Sequence, residues 1–95
     1  MAMHLSIRGL VQGIGYRQWF RRRALELGAT GWVRNRADGS VEALVIASDD
    51  AYAQLVRDAM NGPYGAKVDE IRETAMDLFD PERDFSEEFE IRSTV

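Results

Sequence analysis

Residues 4–28 read HLSIRGLVQGIGYRQWFRRRALELG and contain a strand, a loop and a helix in succession. Leu5 and Ile7 alternate with polar residues, which is the period of a half-buried strand. Apolar residues then recur at helical spacing, namely Tyr16, Phe20, Ala24 and Leu27. Gly28 follows them, and a left-handed glycine is a common helix end. The segment is predicted to be a β-α unit with a glycine-spaced loop.

The following residues predict a hairpin and a second helix. Residues 30–36 and 41–47 have strand character, and Asp38-Gly39 between them is a strong hairpin signal. Ser48 offers a capping oxygen at the start of the second helix, which Asn61-Gly62-Pro63 ends. The buried stripe of this helix is predicted to comprise Tyr52, Leu55, Val56, Ala59 and Met60.

Two further strands complete the predicted order, one over about 67–76 and a last one with Phe89 and Ile91 on one face. We therefore expect one domain over residues 1–95. Its predicted class is α+β, a ferredoxin-like two-layer sandwich of order βαββαβ with an antiparallel sheet and both helices on one face.

Composition excludes several classes of protein. The chain has 95 residues and no cysteine, so a disulfide framework, a thiol nucleophile and a cysteine zinc site are all excluded. Its longest apolar run, residues 43–47, is far shorter than the roughly 20 residues that span a bilayer. The N-terminus lacks the pattern of a secretory signal. We expect a cytoplasmic protein without a membrane partner.

Charge is distributed unevenly along the chain. Residues 1–37 contain seven arginines and one acid, whereas residues 38–95 contain five basic and fifteen acidic residues. The net charge of −4 argues against a nucleic-acid partner. A basic third in an acidic protein favours a local site for a small anion, although solvated helix and strand faces account equally well for most of these arginines.

The loop over residues 9–15 has the properties of an anion cradle. Its glycines allow successive N–H groups to turn toward one point, and the next helix adds unpaired N–H groups. Arg17 lies in the first helical turn, where the dipole disfavours a cation by roughly 0.3–1 kcal/mol. A bound anion at the helix start would make the position of this cation favourable instead. The alternative is a tight turn followed by a surface arginine.

Two motifs in this region resemble those of the acylphosphatase family. They are VQGIGYR at 11–17 and GWVRN at 31–35, and DGSVEA at 38–43 and GPYGAKVDEI at 62–71 follow the same layout. The resemblance covers nearly the whole chain. One departure is Ala47-Ser48, where the family usually has a glycine, which leaves the geometry of that turn open.

The resemblance implies roles for particular residues. Arg17 would hold the substrate phosphate, and Asn35 would position the attacking water. The cradle backbone would come from Gln12, Gly13, Ile14, Gly15 and Tyr16. The implied activity is hydrolysis of the carboxyl-phosphate anhydride of a small acyl phosphate to a carboxylate and inorganic phosphate. The sequence does not rank the acyl groups.

The chemistry requires few groups. A carboxylate is a good leaving group, so the protein needs only to neutralise phosphoryl charge and to hold water in line. No convincing general base accompanies the motifs, because His4 is interpreted as a plain strand residue. We expect the proton to pass to the substrate phosphate. We expect a monomer that needs no cofactor and no metal.

Other readings are weaker. A ferredoxin-like RNA-binding module stacks bases on strand aromatics, but HLSIR and VEALVIA offer no ring. A non-catalytic binding or regulatory module remains the main alternative. The version of this module at the front of larger carbamoyl-transferring proteins is not expected, because the sequence ends at Val95.

The remaining candidates are assigned structural roles. Four acids lack the spacing of a calcium loop and are interpreted as a solvated loop: Asp77, Asp80, Glu82 and Asp84. Four aromatic residues are predicted in the core or at its edge: Trp19, Phe20, Trp32 and Tyr52.

Overall fold

The computed structural model describes residues 2–76 and 88–95, which form five strands and two helices. In chain order these are β1 (Ala2–Leu10), α1 (Tyr16–Glu26), β2 (Thr30–Asn35), β3 (Val41–Ile46), α2 (Asp49–Asn61), β4 (Lys67–Ala75) and β5 (Phe89–Ile91). The predicted acidic loop with Asp77, Asp80, Glu82 and Asp84 lies outside the described residues.

The strands form one sheet in the order β4-β1-β3-β2-β5. Neighbours among the first four strands are antiparallel, as predicted for a ferredoxin-like sandwich. The fifth strand differs, because β5 pairs parallel to β2 and places Phe89 opposite Gly31 and Ile91 opposite Val33. The sheet is therefore mixed, and the final strand extends the edge next to the loop that precedes α1.

Both helices bury one face on the same side of the sheet. Phe20 of α1 and Leu55 of α2 are fully buried, in one cluster with Leu5 and Ile7 of β1. Met60, expected in the buried stripe of α2, is instead 45% exposed. At 3.6 residues per turn it lies at the margin of the stripe, so it reaches solvent rather than the sheet.

The other sheet face carries a charged cluster. Glu42 is only 6% exposed, and its carboxylate lies 2.8 Å from Nε2 of His4 and 2.5 Å from Nε of Arg34. Burial by itself raises the pKa of Glu42, but the hydrogen bonds from His4 and Arg34 outweigh it, so the pKa is lowered. Trp32 is contacted by the guanidinium of Arg34 at 4.6 Å and by that of Arg92 at 5.0 Å.

Aromatic positions follow the prediction. Phe20 and Trp32 are buried, and Trp19 and Tyr52 pack partly buried against the core.

No helix within residues 2–76 and 88–95 has the length and apolar character needed to cross a bilayer.

Candidate active site

A cavity of about 220 Å³ lies where β1 passes into α1. Its walls come from the connecting loop, from the first turn of α1 and from the ends of β2 and β5. The lining residues are Val11, Gly13, Gly15, Tyr16, Arg17, Gln18, Asn35 and Ile91. The parallel pairing of β5 with β2 is what brings Ile91 to this place.

The loop turns its backbone through two left-handed glycines. Gly13 has a φ of 78° and Gly15 a φ of 79°, whereas Ile14 between them does not have a positive φ. A β-carbon at either glycine would meet no atom within 4 Å. Backbone conformation rather than lack of space therefore requires glycine here. A residue of ordinary φ between two left-handed glycines turns successive backbone N–H groups to the same side of the chain. This backbone geometry, called a nest, binds anions.

The first turn of α1 is left without a cap. Gly15 is the N-cap residue, no described side chain accepts a hydrogen bond from the first-turn amides, and no acid lies in that turn. The first helical bond runs from the N–H of Trp19 to the carbonyl of Gly15 at 3.0 Å. The amides that precede Trp19 have no acceptor within the helix, and the positive end of the helix dipole opens into the cavity.

Side chains fix the loop from both ends. Nε2 of Gln12 donates to the carbonyls of Arg36 and Ser40 at 2.8 and 2.9 Å, which ties the loop to the β2-β3 hairpin. The buried hydroxyl of Tyr16 donates to the carbonyl of Ala59 in α2 at 2.7 Å. Burial raises the pKa of Tyr16 strongly, so this phenol stays protonated.

Arg17 differs from Arg21 and Arg23, two other arginines of α1. Nε of Arg21 donates to the carbonyl of Phe89 at 2.7 Å, and Nε of Arg23 lies 2.6 Å from a carboxylate oxygen of Asp58. Arg17 is half-buried, and no ion pair or hydrogen bond engages its side chain in the described part of the chain. Its guanidinium is therefore available to a ligand in the cavity.

Asn35 ends β2 on the side of the sheet that faces the helices, opposite Val41. Its backbone carbonyl accepts a hydrogen bond from the N–H of Val95 at 3.2 Å. Its side-chain Oδ1 is buried and has no partner among the described residues. A buried acceptor without a partner costs about 1–3 kcal/mol, so this oxygen favours a small donor such as water.

The described lining of the cavity contains two ionisable side chains, Tyr16 and Arg17. Among the described lining residues there is neither a carboxylate nor an imidazole. His4 is on the opposite face of the sheet, bound to Glu42. Residues 2–76 and 88–95 contain no group of three or more His, Cys, Asp or Glu arranged to hold a metal ion.

Most of the predicted site residues meet at this cavity. Arg17 and Asn35 line it together with Gly13, Gly15 and Tyr16. The side chains of Gln12 and Ile14 are directed elsewhere, to the hairpin and to the core respectively, and the backbone contribution predicted for these two residues stays a prediction. The ligands and roles assigned to all these residues stay predictions.

Three lining residues were missed in the sequence. Gln18 follows Arg17 in the first helical turn, and its position beside Arg17 could have identified it as a lining residue. Val11 precedes the glycines and is apolar, so its residue type does not indicate a place in the site. Ile91 is brought in only by the pairing of β5 with β2, which no local pattern reveals.

Known proteins similar to this chain include several acylphosphatases. The acylphosphatase family model matches residues 3–91. An acylphosphatase of Thiobacillus denitrificans is 48% identical over 91 residues, covering 96% of each chain. One of Rhizobium etli is 45% identical over 84 residues, covering 88% of this chain and 89% of its own. A crystal structure of acylphosphatase from Bacillus subtilis superposes with a TM-score of 0.85 at 31% identity, over 96% of this chain and 97% of that one.

Proposed function

This chain belongs to the acylphosphatase family, and we propose that it hydrolyses small acyl phosphates to a carboxylate and inorganic phosphate. The observation that carries the proposal is the cavity itself, which combines backbone amides, a guanidinium and an amide oxygen that have no side-chain partner within residues 2–76 and 88–95. These are the groups needed to hold a phosphoryl dianion and one water.

In the proposed reaction, water oxygen attacks phosphorus while the bond from phosphorus to the carboxyl oxygen breaks. The carboxylate leaves with the electron pair of that bond. Because a carboxylate is a stable leaving group, no acid is needed to protonate it. The protein's task is positioning and charge neutralisation, as in other phosphoryl transfers.

The phosphoryl oxygens would bind to the amides of the glycine loop and of the first turn of α1. Arg17 would grip two of these oxygens with its planar guanidinium, a charge-assisted contact of about 1.5–3 kcal/mol. The unpaired state of this side chain supports the role, because no carboxylate among the described residues competes for it.

Asn35 would orient the attacking water. Its buried Oδ1 would accept a hydrogen bond from that water, and this contact would also remove the cost of leaving the oxygen without a partner. An amide can do this over a wide pH range, since it does not change protonation state.

The proton released by water would pass to an oxygen of the substrate phosphate. The described lining supports this route, because its ionisable groups are Tyr16, kept protonated by burial, and Arg17. The route predicts that the pH dependence of kcat/KM reports ionisation of the substrate. A protein base with a pKa close to 7 in free enzyme would contradict it.

The test is turnover of benzoyl phosphate by the purified protein and by Arg17→Ala and Asn35→Ala. Loss of one such contact should reduce kcat on the order of 10²–10³-fold. Arg57→Ala is the matched control, because Arg57 is an exposed arginine on α2. Full activity in both site variants would overturn the assignments, and phosphate binding without turnover would favour the non-catalytic alternative.

We further propose that the protein acts as a cytoplasmic monomer. Acyl phosphates are charged and do not cross a bilayer unaided, so their hydrolase acts in the compartment where they form. The described lining of the cavity comes from one chain, which is consistent with a site that needs no second subunit. Gel filtration with light scattering tests the oligomeric state.

A further inference from the structure

A second hollow, of about 470 Å³, lies along α1 next to the cavity. It is lined by Gln18, Arg21, Arg22, Leu25, Glu26 and Ile91. Gln18 and Ile91 also line the first cavity, so the two hollows share a wall. We call the second hollow the α1 groove. An acyl group attached to a phosphate in the first cavity has a path past this shared wall into the α1 groove.

The α1 groove has an apolar floor and a basic side. Leu25 and Ile91 are each 39% exposed and offer a surface for methylene or ring carbons. Arg22 lies four positions after Gln18 on the same face of α1, about 6 Å further along the helix axis. Arg22 is therefore one helical turn beyond the wall that the two hollows share, within reach of a short acyl group.

The charges of the groove are not equally available. Arg21 is engaged, because its Nε donates to the Phe89 carbonyl at 2.7 Å and its Nη2 lies 3.8 Å from Glu88. Glu26 lies 3.7 Å from Nη1 of Arg23, which reduces its effect on an anion. Arg22 makes no ion pair with any described residue. The uncommitted charge at the far end of the groove is therefore positive.

We propose that the α1 groove receives the acyl part of the substrate and that Arg22 binds a second anionic group on it. The preferred substrates are then acyl phosphates whose acyl group ends in a carboxylate or a phosphate. The proposal rests on the proposed function, since it assumes that the phosphate occupies the first cavity. It adds the substrate class, which the sequence left open.

Arg22 should act on KM rather than on kcat. The second anion is remote from the bond that breaks, so its charge is the same in the bound substrate and in the transition state. A contact of equal strength in both states lowers KM and leaves the chemical step unchanged. Arg22 is thus distinguished kinetically from Arg17, whose loss should reduce kcat.

The experiment compares benzoyl phosphate with 4-carboxybenzoyl phosphate, which differ by one remote carboxylate. We expect the wild type to have the higher kcat/KM for the carboxylated substrate. Arg22→Gln should reduce the ratio of the two kcat/KM values about five- to tenfold, through KM. Arg22→Glu should invert the preference. Glu26→Gln, which removes the carboxylate of the groove, should raise the ratio.

Arg57→Gln is the matched control, because Arg57 is also exposed and central in a helix but lies on α2. It should leave the ratio unchanged. A ratio that is unchanged in Arg22→Gln and Arg22→Glu, with benzoyl phosphate still hydrolysed, overturns the groove and leaves the proposed function intact. No hydrolysis of either substrate by the wild type overturns both.

Discussion

The two helices begin in opposite ways. Before α2, Ser48 has ordinary extended backbone, its Oγ accepts from the N–H of Ala51 at 3.2 Å, and Asp49 and Asp50 lie in the first turn. Before α1, a left-handed Gly15 leaves the first amides without a side-chain acceptor, and Arg17 occupies the first turn. One helix start is capped by its own side chains, and the other has no side-chain acceptor among the described residues.

Under the proposed function, the difference marks where the chain gives up stability for binding. A cap contributes about 1 kcal/mol, and acids in the first turn add about 0.3–1 kcal/mol each in favourable cases. At α1 both contributions are missing, and a cation opposes the dipole. Breaks in local rules of this kind are expected at functional sites. Changes at the two helix starts should therefore affect activity and stability separately.

Arg17→Lys should give the largest effect. An ammonium keeps the charge but cannot make the planar two-point contact, so kcat on benzoyl phosphate should fall on the order of 10²–10³-fold. Urea unfolding should show little change. Arg57→Lys on α2 should alter neither kcat nor the free energy of unfolding. Retained turnover in Arg17→Lys would show that the two-point contact is not needed.

Orthophosphate should stabilise the protein through α1 alone. At a concentration 100 times its Kd, a ligand that binds only the folded state adds about 2.7 kcal/mol to the free energy of unfolding. Thermal melts with and without phosphate should show this in the wild type and in Ser48→Ala. Most of the shift should be lost in Arg17→Ala. An equal shift in all three proteins would place the phosphate elsewhere.

Gln18→Glu should make the start of α1 resemble that of α2. The new carboxylate lies in the first turn and on the cavity wall, so it should repel the substrate and reduce kcat/KM about tenfold, equivalent to about 1.4 kcal/mol. The free energy of unfolding should rise by about 0.3–1 kcal/mol, because an acid complements the helix dipole. Asp50→Asn on α2 is the counterpart. It should slightly lower the free energy of unfolding and leave kcat/KM unchanged.

Ser48→Ala should give the smallest effect and affect stability alone. Losing the cap should lower the free energy of unfolding by about 1 kcal/mol, which moves Tm by about 4–8 °C in a domain of this size. Calorimetry measures the shift, and kcat/KM on benzoyl phosphate should match the wild type. A loss of activity here would show that the two helix starts are coupled.

Much of the fold could be predicted because its signals are local. Glycine at 28 and 62 marks the helix ends, and both adopt positive φ. The Asp38-Gly39 turn joins β2 and β3 as expected. The turn at Ala47-Ser48, left open by the sequence, is formed by an ordinary serine cap. Met60 was misplaced because it lies at the margin of the helical stripe, where periodicity does not decide burial.

The site was less predictable, since its walls come from distant parts of the chain. Arg17 and Asn35 carried motif signals, and the structure places both on the cavity. Ile91 carried none, because its place depends on a parallel strand pair. The backbone role predicted for Gln12 stays a prediction, whereas the hydrogen bonds of its side chain to the hairpin at 2.8 and 2.9 Å were not predicted, because they join residues far apart in sequence.

The anchoring of the glycine loop has a consequence for engineering. Gln12 holds the loop to the hairpin, and Tyr16 holds it to the Ala59 carbonyl, with Gly62 so close that a β-carbon there would lie 2.8 Å from the Tyr16 ring. The loop cannot be grafted onto another scaffold as a short peptide, since the groups that shape it belong to α2 and to the β2-β3 turn. A successful transplant would have to carry those acceptors with it.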